Sequence, residues 1–162
     1  DPKVVEQVTK AVRKVTDKPV IVKLSPNVTD IVEIAKAVEA GGGDGVSLIN
    51  TILGMAIDIH RRKPVLGNIY GGLSGPAVKP VALRMVHQVY KGVNIPIMGL
   101  GGIMTGTDAI EFMMAGAQVV QVGVATMVDP TAISRIAREM GDYVEQYNLN
   151  NITDIVGAVH HG

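Results

Sequence analysis

The 162-residue chain contains no cysteine and no tryptophan. Without a thiol it forms no disulfide, holds no thiolate-bound zinc or iron–sulfur cluster, and offers no cysteine nucleophile. Aromatic residues make up 3% of the total, so stacking platforms for bases are not expected, and eight methionines take over some of the missing volume. Neither sign of charge is in excess: 15 Lys and Arg stand against 15 Asp and Glu, interspersed along the chain. That balance leaves no electrostatic footprint for nucleic acid or for an anionic membrane. Apolar runs stop at roughly eight residues, against the ~20 a membrane-spanning helix needs, and no charged-then-apolar leader opens the sequence. The expected location is the cytoplasm. His-Glu-x-x-His, carboxylate–histidine clusters and nucleophile elbows are also missing, so no metal site, metal-assisted hydrolysis or acyl transfer is expected.

What is present is a repeated alternation of two periodicities. Asp1 and Pro2 form a helix start, followed by Val4, Val5, Val8, Ala11, Val12 and Val15 at helical spacing, an apolar stripe expected to face the core. "KPVIVKLSP", 18 to 26, reads as a buried strand. Thr29 and Asp30 open a helix that the glycines at 41 to 43 end, and "DGVSLINT", 44 to 51, reads as a second strand. Residues 53 to 75 form a polar, glycine-rich connection longer than a minimal turn, a length that usually carries function. A third helix follows Pro76. "IPIMGLGG" is a third strand, Asp108 to Ala115 a short helix, "AQVVQVGVA" a fourth strand, and Asp129-Pro130 begins the last helix.

A helix followed by four strand–helix units calls for a parallel sheet. Either an open doubly wound sheet or part of a (β/α)8 TIM barrel satisfies that order. A whole barrel takes about 250 residues, so the arithmetic favours a half-barrel supplying about the last four units, read as one domain over 1–162 with a tail of uncertain order from 148. The first residue is Asp and the chain runs straight into a helical pattern, as a piece from the middle of a larger protein does. Such a piece leaves strand edges and a sheet face open, so the missing N-terminal half or a homo-oligomer is the expected partner. The closing Val-His-His-Gly reads equally as a native tail or as appended residues.

Glycine recurs where buried strands give way to helices. In parallel α/β folds, ligands collect at the carboxyl ends of the strands, where free amides and helix starts favour phosphate. Gly101 and Gly102 after one strand, and Gly123 with Val124 after the next, read as two walls of one phosphate cup; the plain alternative is glycine that relieves crowding, Gly99 above all. Lys23 is a cation inside an apolar strand and should reach the cleft or snorkel out at the strand end. Asn50 and Thr51 end the second strand with groups able to fix a polar ring, or to cap a turn. Ser74 and Gly75 line up before Pro76, where a helix cap is equally open. His87, on the polar side of its helix, and His60, in the long loop, are expected to be solvated.

"VKLSPNVTDI", "DGVSLINT", "GGLSGPAVKPVALRMV", "IPIMGLGGI" and "AGAQVVQVG", in this order, resemble the C-terminal half of the class 1B catalytic subunit of dihydroorotate dehydrogenase over about residues 1 to 150. Dihydropyrimidine dehydrogenase has a related domain with a similar "NVTDI" segment. The resemblance implies an eight-stranded barrel holding FMN, with dihydroorotate oxidised to orotate in pyrimidine biosynthesis. It implies that Lys23 approaches the flavin ring, that Ile49 touches it through its backbone, and that Gly75, Gly101, Gly102, Gly123 and Val124 line the FMN ribityl phosphate. Asn50 and Thr51 would bind the pyrimidine. It also implies a partner subunit with FAD and an iron–sulfur cluster that passes electrons to NAD.

Two departures stand out. The family usually has Gly-Thr where this chain has Gly123-Val124, so one hydroxyl to the phosphate is lost while the backbone donors remain. The family's catalytic base is a cysteine on a loop before the lysine-bearing strand, and this chain has neither, so no catalytic base is expected within it. Base catalysis is commonly worth 10²–10⁴-fold, so the chain alone is expected to be a poor enzyme. The competing readings are a phosphate- or flavin-binding half-barrel without catalysis, and another phosphate-binding barrel enzyme such as a phosphosugar isomerase or synthase.

Overall fold

A computed structural model describes residues 1–160. His161 and Gly162, the end of the tail whose origin the sequence leaves open, lie outside the described residues. Helix α1 (Pro2–Arg13) begins at Asp1, whose carboxylate accepts from the Lys3 N–H at 2.9 Å, with proline in the first turn. Strand β1 (Ile21–Leu24) leads to α2 (Ile31–Ala40), capped by Asp30, which accepts from the Val32 and Glu33 amides. Strand β2 (Gly45–Leu48) follows. Its partners are β1 on one side and, on the other, a strand fifty residues further along the chain.

The long connection is not irregular. It folds into a two-stranded antiparallel ribbon, β3 (Ile52–Met55) with β6 (Tyr70–Leu73), and carries a second short pair at its outer end, β4 (Ile57–Asp58) with β5 (Lys63–Pro64). The chain then makes a single 3-10 turn (Pro76–Val78), α3 (Lys79–Tyr90), β7 (Ile97–Leu100), α4 (Gly106–Met114), β8 (Val119–Gln121), the short α5 (Val124–Val128) and α6 (Ala132–Gln146). The expected strand over 117–125 is therefore cut to three residues, because Gly123 turns the backbone into α5. The short helix starts at Gly106 rather than Asp108: Thr105 and Asp108 form a reciprocal capping box that recruits the preceding turn.

The main sheet is parallel, in the order β1-β2-β7-β8. Doubly wound sheets reverse their strand order at a switch point. Here the strands follow one another in chain order with the ribbon inserted after β2, as in consecutive units of a (β/α)8 barrel, and no closed barrel forms among the described residues. One sheet face packs on the helices. Leu24, Val46, Leu48 and Ile97 are buried there with Val38, Val86, Val89 and Phe112. Gly99 is part of that packing, since a Cβ there would sit 2.7 Å from the Phe112 ring. The other face is open, and leaves Ile21 and Val119 at its two edges exposed.

Helix α1 departs from its expected orientation. It rests on α2 through buried Thr9, whose methyl fills the space that a side chain at Gly41 would need, while Val4, Val8, Val12 and Val15 are all exposed. Of the stripe, Val5 packs against the core, and nothing in the described structure covers the four exposed valines. Beyond α6, a 3-10 turn at Ile152–Ile155 buries Ile155 against Ile110 and Met113. His160 returns to the α3–α4 surface, where its Nε2 lies 3.0 Å from the Ala115 carbonyl. Its ring stacks on His87 at a centroid distance of 4.2 Å, so His87 is half-covered rather than solvated as the helical wheel implied.

Candidate functional site

All nine residues singled out in the sequence border one cleft at the carboxyl ends of β1, β2, β7 and β8. Lys23 enters from β1. It lies in register with Ser47 on β2, on the sheet face that the helices leave open, and this explains how a cation fits inside an apolar strand. Ile49, Asn50 and Thr51 follow β2. The chain there is held between its neighbours, with Ile49 N–H donating to the Leu100 carbonyl and Asn50 N–H to the Leu24 carbonyl, each at 2.9 Å. The Leu48–Ile49 peptide is cis. Asn50 Oδ1 accepts the Thr51 N–H at 2.8 Å, so the turn-capping alternative holds for its oxygen while its amide NH2 stays available.

The glycines converge from three different connections. Gly75 follows the ribbon with φ 88°, Gly101 and Gly102 follow β7 with φ 133° and 76°, and Gly123 follows β8. These three positive angles suit glycine. A Cβ at Gly102 would lie 2.7 Å from the Gly75 carbonyl oxygen and 3.0 Å from the Lys79 nitrogen; one at Gly75 would lie 3.9 Å from Val124 Cγ1. Gly75 thus meets the Gly101–Gly102 wall at backbone distance and faces the Val124 side chain on its other side. Among the described residues, Gly75, Gly101, Gly102 and Gly123 donate their backbone N–H groups to no backbone acceptor outside regular helices and strands. Ser74 also borders the cleft, and the turn after Gly75 has no side-chain cap, so the capping alternative fails there.

Sequence reasoning missed three contributors. Gln121 lines the cleft beside Gly123 and accepts the Ser47 hydroxyl proton at 2.9 Å. It is a polar residue inside "VVQVG", the same signal that exposed Lys23 in "VIVKL". Asn27 shapes the rim from outside, its NH2 donating to the Thr51 carbonyl at 3.0 Å and its Oδ1 accepting the Leu53 N–H at 2.9 Å. Leu73, from the inserted ribbon, adds an apolar side to the cleft, and no local pattern announces it.

The cleft measures about 150 Å³, below the ~300 Å³ at which pockets begin to enclose a ligand. It is one wall of a site. Lys23 is the one ionisable side chain among its lining residues. A single cation, a row of free amides and the polar side chains of Asn50, Thr51, Ser74 and Gln121 can bind an anionic group and orient a polar ring.

Charged groups gather behind the cup instead. Lys79 Nζ bridges Asp108 at 2.6 Å and Glu111 at 2.8 Å, and the Asp108 carboxylate also accepts the Met104 and Thr105 amides. Burial pushes the Asp108 carboxyl up, but these hydrogen bonds outweigh it and hold it below the usual carboxylate range. The bond that Gly106 N–H donates to Glu139, then the Arg135 guanidinium, holds Glu139 low in the same way.

Comparison with known proteins agrees with this geometry. The sequence profile described as "Dihydroorotate dehydrogenase" matches residues 1–144. A protein from Alkaliphilus oremlandii, named dihydroorotate dehydrogenase B (NAD(+)), catalytic subunit, is 62% identical over 98% of this chain and 53% of its own length. Relatives of the same name from Alkaliphilus metalliredigens and Desulforamulus reducens are 60% and 62% identical, over 98% and 95% of this chain and 53% and 51% of theirs. The chain spans about half the length of the curated relatives it matches. With most of its length inside the matched profile and its glycines, lysine and Asn-Thr pair gathered at one end of the parallel sheet, the chain belongs to the dihydroorotate dehydrogenase family.

Proposed function

We propose that this chain is the C-terminal, FMN-binding part of the barrel of a dihydroorotate dehydrogenase, which oxidises dihydroorotate to orotate in pyrimidine biosynthesis. The observation that carries the reading is the convergence of Gly75, Gly101, Gly102 and Gly123 on one cleft whose single charge is Lys23. The donor set fits a flavin mononucleotide: amides unobstructed by Cβ atoms for the phosphate, and an ammonium for the end of the ring that turns anionic on reduction. Bound FMN would supply the hydride acceptor. Val124 has no hydroxyl to offer, so the β8 wall holds phosphate by backbone donors alone.

In this reading the chain's own residues bind and orient. Lys23 lies toward the flavin ring, Ile49 meets it through its backbone, and Asn50 and Thr51 hold the pyrimidine. The proton leaving the substrate goes to a base outside this chain, since no lining residue other than Lys23 is ionisable. Electron transfer onward calls for a partner subunit with FAD and an iron–sulfur cluster, which this cysteine-free chain cannot hold through thiolates. The cleft's small volume supports a site completed by the other half of the barrel or by a second copy.

The test is a titration of the purified chain with FMN and with riboflavin, followed by flavin fluorescence. FMN should bind tighter, and the chain alone should oxidise dihydroorotate negligibly. Equal affinity for the two flavins, or turnover at an enzyme's rate, would reject the reading. A second reading, a phosphate-binding half-barrel without catalysis, is favoured by the absence of a base in the cleft and predicts binding of inorganic phosphate with no preference for flavin.

A further inference from the structure

The loop that follows Gly101 and Gly102 is held from behind by α6. Glu139 accepts the N–H of Gly106, Arg135 Nη2 donates to the Met104 carbonyl at 3.1 Å, and Arg135 Nη1 reaches Glu139 at 3.0 Å. Gly106 is glycine for this contact: a Cβ there would overlap the Glu139 side chain. Arg135 also turns its Nε to Asp129 at 3.4 Å, and Asp129 is the residue that ends α5, the five-residue helix that Gly123 and Val124 begin. One guanidinium therefore touches both connections that carry the cup, the β7 side at Met104 and the β8 side at Asp129. Neither Arg135 nor Glu139 borders the cleft.

We infer that Arg135 and Glu139 are positioning residues for the phosphate cup, fixing the spacing between the Gly101–Gly102 wall and the Gly123–Val124 wall from the side away from the ligand. This rests on the function proposed above. The two connections face each other largely through glycine, with Ile103 and Ala125 as their buried side chains, so polar contacts from a third element add to what fixes their separation. A guanidinium whose nitrogens reach Met104, Asp129 and Glu139, and the Glu139 carboxylate, both on α6, fix it. The pair leaves the cup's amides unoccupied, because each bond goes to groups two or more residues past the glycines.

Riboflavin has the ring and ribityl chain of FMN without the phosphate, and so separates cup geometry from general folding. Glu139→Ala should weaken FMN by roughly tenfold, the scale of one charge-assisted hydrogen bond, and leave riboflavin affinity unchanged. Glu139→Gln keeps an acceptor for Gly106 and should recover most of the loss. Arg135→Lys, with charge but no fork, should lose FMN affinity while the melting temperature stays close to that of the unsubstituted chain. Equal losses for both flavins, or unchanged FMN affinity in Glu139→Ala and Arg135→Lys alike, overturn the inference. An unsubstituted chain that binds FMN no better than riboflavin rejects instead the cup itself and the function proposed above.

Discussion

Gly102 has the least freedom of any residue at the cleft. Its φ of 76° disfavours every L side chain, and the space a Cβ would take is filled by the Gly75 carbonyl oxygen at 2.7 Å. Gly102→Val should cost ~1–3 kcal/mol of stability through backbone strain and abolish FMN binding while the helical circular dichroism persists. Full FMN affinity in that variant would place the phosphate elsewhere. Gly123 is different in kind, with open space where its Cβ would be, so its value lies in the exposed amide rather than in close packing. Lys23 and Gln121 illustrate what single residues reveal. A polar side chain interrupting a β-branched run must point to something other than core, and in both cases it points into the cleft.

His87 on α3 carries the stack that seats the C-terminal segment through His160. Burial first, then the proximity of His160 and Lys91, holds its imidazole below the ordinary value near 6.5. The folded state thus binds fewer protons than the unfolded chain as pH falls through that value, so stability is lost on acidification below about 6.5. Carboxylates held low, Asp108 and Glu139, withdraw their contributions only in more acidic solution, below the ordinary carboxylate values, which separates the two windows. In His87→Phe, which keeps a ring for the stack, the fall in melting temperature between pH 7 and 5.5 should be smaller than in the unsubstituted chain; an identical fall would assign the effect to other groups. The ribbon from β3 to β6 was the element least readable in advance. Its alternation is broken by Gly54, Gly71 and Gly72, and its pairing depends on contacts fifteen to twenty-one residues apart. Helix α1 was legible as a helix, yet its valine stripe could not say that Thr9 would be the side to meet α2, because amphipathicity names a face and not its partner.

Among the described residues the main sheet has two unpaired parallel edges, β1 and β8, and the valines of α1 with Met127, Val128 and Ile133 of α5 and α6 add exposed apolar surface. Open strand edges and apolar surface of that kind drive association. The purified chain should sediment above its 17.1 kDa monomer mass, increasingly so with concentration, and Val8→Lys with Val12→Lys should return it toward monomer. A concentration-independent monomer for the unsubstituted chain would mean that these edges are shielded in solution.

Most of the architecture was settled by local order: alternating strand and helix periods, caps at Asp1 and Asp30, and breaks at glycine call for a parallel α/β arrangement. The residues gathered at the cleft were also legible, since glycine at strand ends and a lone lysine in an apolar strand are expensive in a closed core. Only the tertiary structure decided that Gly75 lies between the other two glycine segments, that Gln121 joins them, and that Arg135 and Glu139 brace them from behind. Those relations are distances between segments tens of residues apart, set by strand register and helix packing, and no spacing along the chain encodes them.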